Sequence, residues 1–210
     1  MVNCRAMSAV PSGAPPAPHA VAPARRESRW IPPLIVLVVM AAIIIGGYPI
    51  SEAVGPEGPV IEGGQVQIGG FTITPPEGWQ VVNQFEELTP GTPSPGVQLG
   101  RGQGAVLIVA LPNQPDPRAL LQRYIGEFLA PQAVDAQVSD IFQVQGNLGP
   151  GVQQAYIGLF QGVEFPLEGD VTVFAGSSGT GLVFDGWSGE GQYGQIADDV
   201  HQMAATASEG

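Results

Sequence analysis

Between Trp30 and Ile50 the chain reads WIPPLIVLVVMAAIIIGGYPI, with no charge and no polar side chain apart from the aromatic ones at its edges. A helix climbs ~1.5 Å per residue, so about 20 apolar residues cross a ~30 Å hydrocarbon core. Leu34 to Ile50 supplies 17 residues, and Trp30 to Pro33 lengthens the start. Pro32 and Pro33 suit a first helical turn, where an N–H has no helical partner. Trp30 and Tyr48 stand where interfacial aromatics belong, and Gly46, Gly47 and Pro49 close the run. The segment holds no ionisable group for an ion or proton path. Gly46-Gly47 also lacks the four-residue spacing of a helix-packing motif. Residues 30–50 are therefore expected to form a single-pass transmembrane helix that anchors the chain in the lipid bilayer.

Charge sets the orientation. Arg25, Arg26 and Arg29 precede the span, and the next basic residue is Arg101. The positive-inside rule places the N-terminus in the cytoplasm and the C-terminal domain outside the cell membrane. The tail carries four Arg and one Glu, a balance of +3, and the remainder carries 18 acids and three Arg, a balance of −15. The rival reading is a cleaved signal peptide, but its apolar core normally spans about 7–15 residues, and Ser51-Glu52-Ala53 is a weak cleavage site. Arg25-Arg26 is followed by Glu27 and Ser28, a poor fit to a twin-arginine signal, and no Cys follows the span to carry a lipid anchor.

Four segments follow. Residues 1–29 form a Pro/Ala-rich cytoplasmic tail, expected to be disordered because so little apolar surface cannot offset the entropy of ordering. Its Pro15 to Pro18 run is short, and its Cys4 is the only cysteine, so no internal disulfide exists. Residues 30–50 are the span and 51–64 a Pro, Gly and Glu linker. Residues 65–210 are expected to be one extracytoplasmic domain, long enough for its own core.

Within that domain Val66 to Ile73 reads as a strand or bent strand pair broken at Gly69-Gly70, followed by a turn at Pro75 to Gly78 and an extended run from Trp79. Residues 86–96 read as a long polar loop. Val97–Leu99 and the apolar Ala105–Leu111 are strands, the second central. Asp116-Pro117 starts a helix with an N-cap acid and Pro at its first position. Leu120, Leu121, Tyr124, Ile125, Phe128 and Leu129 share its apolar face up to Pro131. Val138–Val144, Val152–Leu159, Val171–Phe174 and Leu182–Trp187 are four further strands. Tyr193, Ile196, Val200, Met203 and Ala207 mark a closing helix of about four turns. Helices that interrupt rather than alternate with strands indicate an α+β fold, with an antiparallel β-sheet of about six to seven strands flanked by helices.

The run Phe71-Thr-Ile-Thr-Pro-Pro-Glu-Gly-Trp79 resembles the opening strand and turn of the PsbP-like fold family, and Gly181 through Ala205 is similar to that family's ending strand and helix. The resemblance covers most of 65–207. It implies an α/β/α sandwich around an antiparallel sheet, in a membrane-anchored bacterial extracytoplasmic member. Members of that family serve mostly as binding or assembly modules in extracytoplasmic compartments, and many membrane-tethered and lipoprotein versions in bacteria have no assigned activity. The family has no shared catalytic set, so the resemblance assigns no functional residue.

The residues themselves offer little chemistry. The chain contains no Lys, which excludes a Walker A loop, a Schiff base and a Ser-Lys mechanism. Gly176-Ser-Ser-Gly-Thr-Gly181 has the composition of a phosphate loop but the wrong spacing, and reads as a hairpin turn. His201 is the only histidine beyond the span; Asp198 lies three residues before it on one helix face, with Asp199, Glu190 and Asp185 near in sequence. Such a set offers an imidazole–carboxylate pair or oxygen ligands for a divalent cation. Glu86, Glu87, Glu164, Glu168 and Asp170 are further acids, of the type that works in pairs on glycans. Because Val200 and Ile196 mark the buried face, Asp198, Asp199 and His201 are expected on the wet one. Trp79 and Trp187 continue apolar alternation and are expected in the core. The acidic balance disfavours nucleic acid. No catalytic, cofactor-binding or metal-binding residue is assigned. The chain reads as a membrane-anchored extracytoplasmic binding or assembly domain that is not an enzyme and has a protein or envelope-component partner. The alternative is a metal-dependent or hydrolytic envelope enzyme using the Asp198/His201 acidic cluster.

Overall fold

The computed structural model describes residues 64–210, and the tail, the apolar span and nearly all of the linker lie outside them. In chain order the elements are β1 (Val66–Ile68), β2 (Phe71–Ile73), β3 (Gln80–Thr89), β4 (Thr92–Arg101), β5 (Gly104–Leu111) and α1 (Pro117–Tyr124). A π-helical turn (Ile125–Leu129) and a 3-10 turn (Ala130–Gln132) lead to β6 (Ala133–Val138), β7 (Phe142–Gly146), β8 (Gly149–Phe160), β9 (Leu167–Ala175) and β10 (Gly181–Gly189). A 3-10 turn (Tyr193–Gln195), α2 (Ala197–Thr206) and β11 (Ser208–Glu209) end the chain. Among the described residues no helix is long and apolar enough to cross a membrane.

Eight strands make one antiparallel sheet in the order β3-β4-β5-β10-β9-β8-β6, with β7 also paired to β8; β1, β2 and β11 form a small second sheet. Side chains alternate across a strand, and here the alternation feeds two cores. Leu182 and Phe184 of β10 join Val106, Ile108, Val200, Met203 and the small sheet's Phe71 and Ile73. Val183 and Trp187 join Val109, Val171, Val173, Leu120 and Leu121. Helices α1 and α2 thus cover opposite faces of one sheet, an α+β fold. Each fully buried Leu, Ile or Phe contributes about 1.5–3 kcal/mol. These two clusters account for the stability that α1 and α2, both too short to persist alone, depend on.

Three expectations change. Residues 86–96 are not a long loop but the tip of the β3–β4 hairpin, turning at Gly91 with φ 82°. Pro93 and Pro95 suggest a loop, yet β4 pairs with β5 only from Gly96 onward, so neither proline withholds a hydrogen bond from that neighbour. Ser94 steadies the tip by accepting the Leu88 N–H at 2.6 Å. The single strand expected over Val138–Val144 is two, β6 and β7, which lie one after the other along β8. Ser139 makes the break: its hydroxyl accepts the Ala155 N–H at 3.0 Å and its carbonyl the Gln154 amide at 2.6 Å. The sheet therefore has eight strands, not six or seven, and the closing helix shortens to a 3-10 turn plus α2 before β11 pairs with β2.

Asp116 does cap α1, accepting the Arg118 N–H at 3.0 Å, with Pro117 at the first position. Gly169, in the middle of β9, sits where a Cβ would collide with the Gly186 carbonyl and stand 2.8 Å from the Tyr156 hydroxyl. Its missing side chain is what lets Tyr156 of β8 lean across β9. Gly169→Ala is expected to destabilise the domain by about 2–3 kcal/mol through this overpacking, read as a lower urea midpoint with an unchanged slope.

Candidate functional site

The polar groups with chemical potential gather on both faces of the β8–β9–β10 region. Asp170 of β9 points toward α2, beside Thr172, whose hydroxyl lies 3.4 Å from its Oδ1. His201 Nε2 lies 2.6 Å from Asp170 Oδ2. The Gln153 amide of β8 reaches the same ring nitrogen at 2.7 Å. One ring nitrogen holds one proton or one lone pair, so it donates to the carboxylate and leaves the amide the lesser role. Asp170 is buried while His201 is 44% exposed along its side chain. The Asp170 hydrogen bond raises the imidazole pKa against the opposing pull of burial, with the Asp170 and Asp198 charges adding to the rise.

The sequence pairing of Asp198 with His201 is thus replaced. Asp198 is exposed and acts on the ring through its charge, whereas the hydrogen-bonding carboxylate comes from β9, 31 residues earlier. Asp199 also departs from the wet face expected of it. It accepts the Trp79 indole N–H at 2.9 Å and pairs with Arg101. The contact ties the entry to β3 and the end of β4 to the first turn of α2, where a carboxylate also suits the helix dipole.

Asp185 lies on the opposite face, under α1. Its two oxygens accept the hydroxyls of Tyr124, from α1, and Tyr156, from β8, each at 2.8 Å. Burial pushes the carboxyl up to about 7, even though both tyrosine hydrogen bonds pull it down; the Asp170 charge adds to the rise. Burial first and the Asp185 charge second push both tyrosines well above their ordinary range. Tyr193, in the turn before α2, is buried, and its hydroxyl makes no hydrogen bond. Burial raises its pKa, and the nearby Asp170 charge raises it further. The Gln98 amide nitrogen, buried in β4, is likewise unpartnered.

The remaining acids are dispersed. Glu86, Glu87, Glu164 and Glu190 are exposed, the first two on β3 and the others beside the β8–β9 turn, where the Glu190 N–H donates to the Pro166 carbonyl at 3.0 Å. Glu87 accepts the Gly91 N–H at 2.9 Å, closing its own hairpin turn, and Glu168 of β9 accepts the N–H of Gly191, in the turn after β10, at 2.8 Å. Among the described residues no three His, Cys, Asp or Glu side chains come together as a metal site. The Gly176–Gly181 segment is the β9–β10 hairpin turn, and its donors are already taken. The Ser177 hydroxyl, the Ser178 N–H and the Ser178 hydroxyl all go to the Glu209 carboxylate, holding its pKa below the usual range. Trp79 and Trp187 are each 6% exposed, in the two separate cores.

A different feature stands out at the sheet's end. β6 and β7 edge the sheet, and Val134, Val138 and Phe142 on them are 63%, 53% and 56% exposed. Domains ordinarily blunt such an edge with charge or proline; here Asp135 and Asp140 are the exposed charges beside the three apolar side chains. Residue-by-residue reading missed it, because a single exposed valine carries no signal until the strand order shows that nothing pairs beyond it.

No family model and no curated protein sequence matches the chain. Among solved structures, the chain is similar to the solution structure of cyanobacterial PsbP (CyanoP) from Synechocystis sp. PCC 6803, at 13% identity and a TM-score of 0.48 over 74% of this chain and 100% of that one. It is also similar to the crystal structure of LpqN, involved in cell envelope biogenesis of Mycobacterium tuberculosis, at 14% identity and a TM-score of 0.43 over 66% of this chain and 82% of that one. The first is the fold family that Phe71 to Trp79 resembles; no residue's role passes from either structure to this chain.

Two substitutions test the assignment of these groups. Tyr193→Phe removes a hydroxyl that is buried without a partner, so unfolding free energy is expected to stay level or to rise by up to about 1 kcal/mol. Trp79→Phe keeps an apolar ring but strands Asp199 with Arg101 alone, and a loss of about 1–2 kcal/mol is expected in the same urea titration.

Proposed function

We propose that residues 65–210 are an extracytoplasmic binding or assembly domain, held at the cell membrane by the 30–50 anchor, that recognises an extended segment of another envelope protein along the β6–β7 edge of its sheet. The observation that carries the reading is that edge: unpaired strand backbone flanked by Val134, Val138 and Phe142, all more than half exposed. Main-chain hydrogen bonds to an added strand supply affinity, and exposed side chains on alternate positions supply selectivity.

The polar groups support a non-catalytic role because they are engaged in holding the fold. Asp170 holds His201, Asp185 holds two tyrosines, and Asp199 holds Trp79 and Arg101. Asp170 and Gln153 take the Nε2 atom of His201, and among the described residues no hydroxyl or thiol nucleophile is hydrogen-bonded to its other ring nitrogen. The membrane assignment rests on the apolar run and its flanking arginines. The domain's surplus of acids, fifteen against three Arg between 64 and 210, favours a partner that is not itself strongly acidic.

Cross-linking of the full chain in its native membrane, followed by co-purification, tests the reading. Val134→Lys with Val138→Lys is expected to reduce partner recovery at least tenfold while leaving the thermal midpoint within a few degrees. Full recovery with the edge charged removes the β6–β7 surface from the proposal. Carbonate extraction tests the anchor separately: the chain is expected to stay with the membrane, and a version with Leu34 to Tyr48 replaced by an unrelated span is expected to retain the same partner. Turnover of an envelope substrate that disappears in Asp198→Ala would instead establish the enzymatic alternative.

A further inference from the structure

The two helices share an arrangement that neither the binding reading nor the fold family requires. Besides its apolar contacts, each is hydrogen-bonded to one buried carboxyl of the sheet, and the two carboxyls are neighbours. Asp185 of β10 lies opposite Val171 of β9, and the next pair in the ladder is Gly186 with Asp170. Alternation sends Asp185 to the α1 face and Asp170 to the α2 face. Asp185 grips Tyr124 of α1, and Asp170 grips His201 of α2.

We propose that this pair of carboxyls makes the domain a pH-responsive clamp, in which α1 and α2 are held tightly to opposite faces of the sheet under mildly acidic conditions and loosen together as the pH rises past neutrality.

The surroundings of each carboxyl bear this out. Facing Asp185 are the Tyr124 hydroxyl from α1, the Tyr156 hydroxyl from β8 and, through the sheet, the Asp170 carboxylate. Tyr193, from the turn before α2, feels the charge of both aspartates. The remaining charges of the α1 segment, Arg118, Arg123 and Glu127, are exposed whereas Asp185 is buried, and Arg123 pairs with Glu127 at 3.0 Å on the exposed side. No cation therefore balances an ionised Asp185. Facing His201 are Asp170 from β9, Asp198 from its own helix and the uncharged Gln153 from β8.

Both titrations act in one direction. Asp185 rises from 3.8 to about 7 on folding, so the folded state holds that proton more firmly than the unfolded chain. Its advantage is full below ~4, drains as the pH climbs and is gone above ~7. His201 is also raised, so the stability its proton confers is full below the ordinary imidazole value of about 6.5 and is lost as the pH rises through the higher folded value. Glu209 is lowered and opposes them only in the acid range, where its stabilisation is lost as the pH falls below the ordinary carboxylate value. Between pH 5 and 8 the displaced titrations that matter are those of Asp185 and His201. Loss of the His201 proton also leaves Asp170 uncompensated beside Asp185, which links the two faces.

Hydrogen–deuterium exchange on the full chain in nanodiscs at pH 5.5 and 8.0, corrected for intrinsic exchange chemistry, tests the clamp. In the unmodified protein, protection over 118–129 and over 198–206 is expected to fall at least tenfold at pH 8.0, while the β5 and β10 amides keep theirs. Asp185→Asn, which imitates the protonated carboxyl, is expected to abolish the step at 118–129 and retain one at 198–206. His201→Gln is expected to do the converse. Tyr124→Phe removes one donor to the ionised form and is expected to move the α1 step to higher pH; it serves if Asp185→Asn does not fold. Equal protection at both pH values in the unmodified protein, or an α1 step that survives Asp185→Asn or stays in place in Tyr124→Phe, overturns the proposal.

Discussion

The β10 strand is buried on both faces from Gly181 to Ser188, and this double burial organises the molecule. A strand with both faces in the dark needs cover above and below as well as partners left and right. β5 and β9 supply the ladder, α1 and the π-helical turn cover one face, and α2 with the small sheet covers the other. Neither short helix has reason to persist without that strand. The C-terminal residues return to β2 for the same reason: the small sheet is part of the lid over Phe184, and Glu209 fastens it to the β9–β10 turn.

Polar groups buried in such a strand are costly unless they are matched. Asp185 is matched by two hydroxyls rather than by a cation, which satisfies its lone pairs while leaving its charge unbalanced. Asp170 is matched by an imidazole whose charge depends on pH. The glycines on the same ladder make this geometry accessible. Gly169 clears the path of Tyr156, and Gly186 leaves space for the Tyr193 hydroxyl and the Val200 methyls, whose atoms stand 3.0–3.1 Å from where its Cβ would be. Side-chain chemistry and backbone economy in β9 and β10 are therefore one design. Asp185 and Asp170 thus each link the sheet to a helix, through Tyr124 and through His201.

The sheet's ends follow a different logic. At the β3 end the strand is bent by register shifts between Val81 and Thr89, which twist an edge away from further pairing. At the β6–β7 end the break at Ser139 shortens each strand, but three large apolar side chains stay in water. Asp135 and Asp140 stand exposed beside them, so this edge mixes apolar and acidic groups.

Much of the fold was legible in local pattern. Asp116-Pro117 announced α1, the apolar run Ala105–Leu111 announced a central strand, and the alternation around Trp79 and Trp187 announced their burial, because each signal is carried by neighbours in the chain. Prolines 93 and 95 misled, since whether a missing N–H matters depends on a strand that pairs from elsewhere. The pairing of His201 with Asp170 rather than Asp198, and of Asp185 with Tyr124 and Tyr156, joins residues 29 to 61 positions apart. Only register across β8, β9 and β10 decides such contacts, because a strand's period of two tells which residues share a face but not which strand lies beside it. Sequence alone determined the apolar run, the charge asymmetry about it and the α+β order of elements. Tertiary structure decided which carboxyl meets which partner and which edge stays open, since those depend on strand order, a property no local stretch of chain contains.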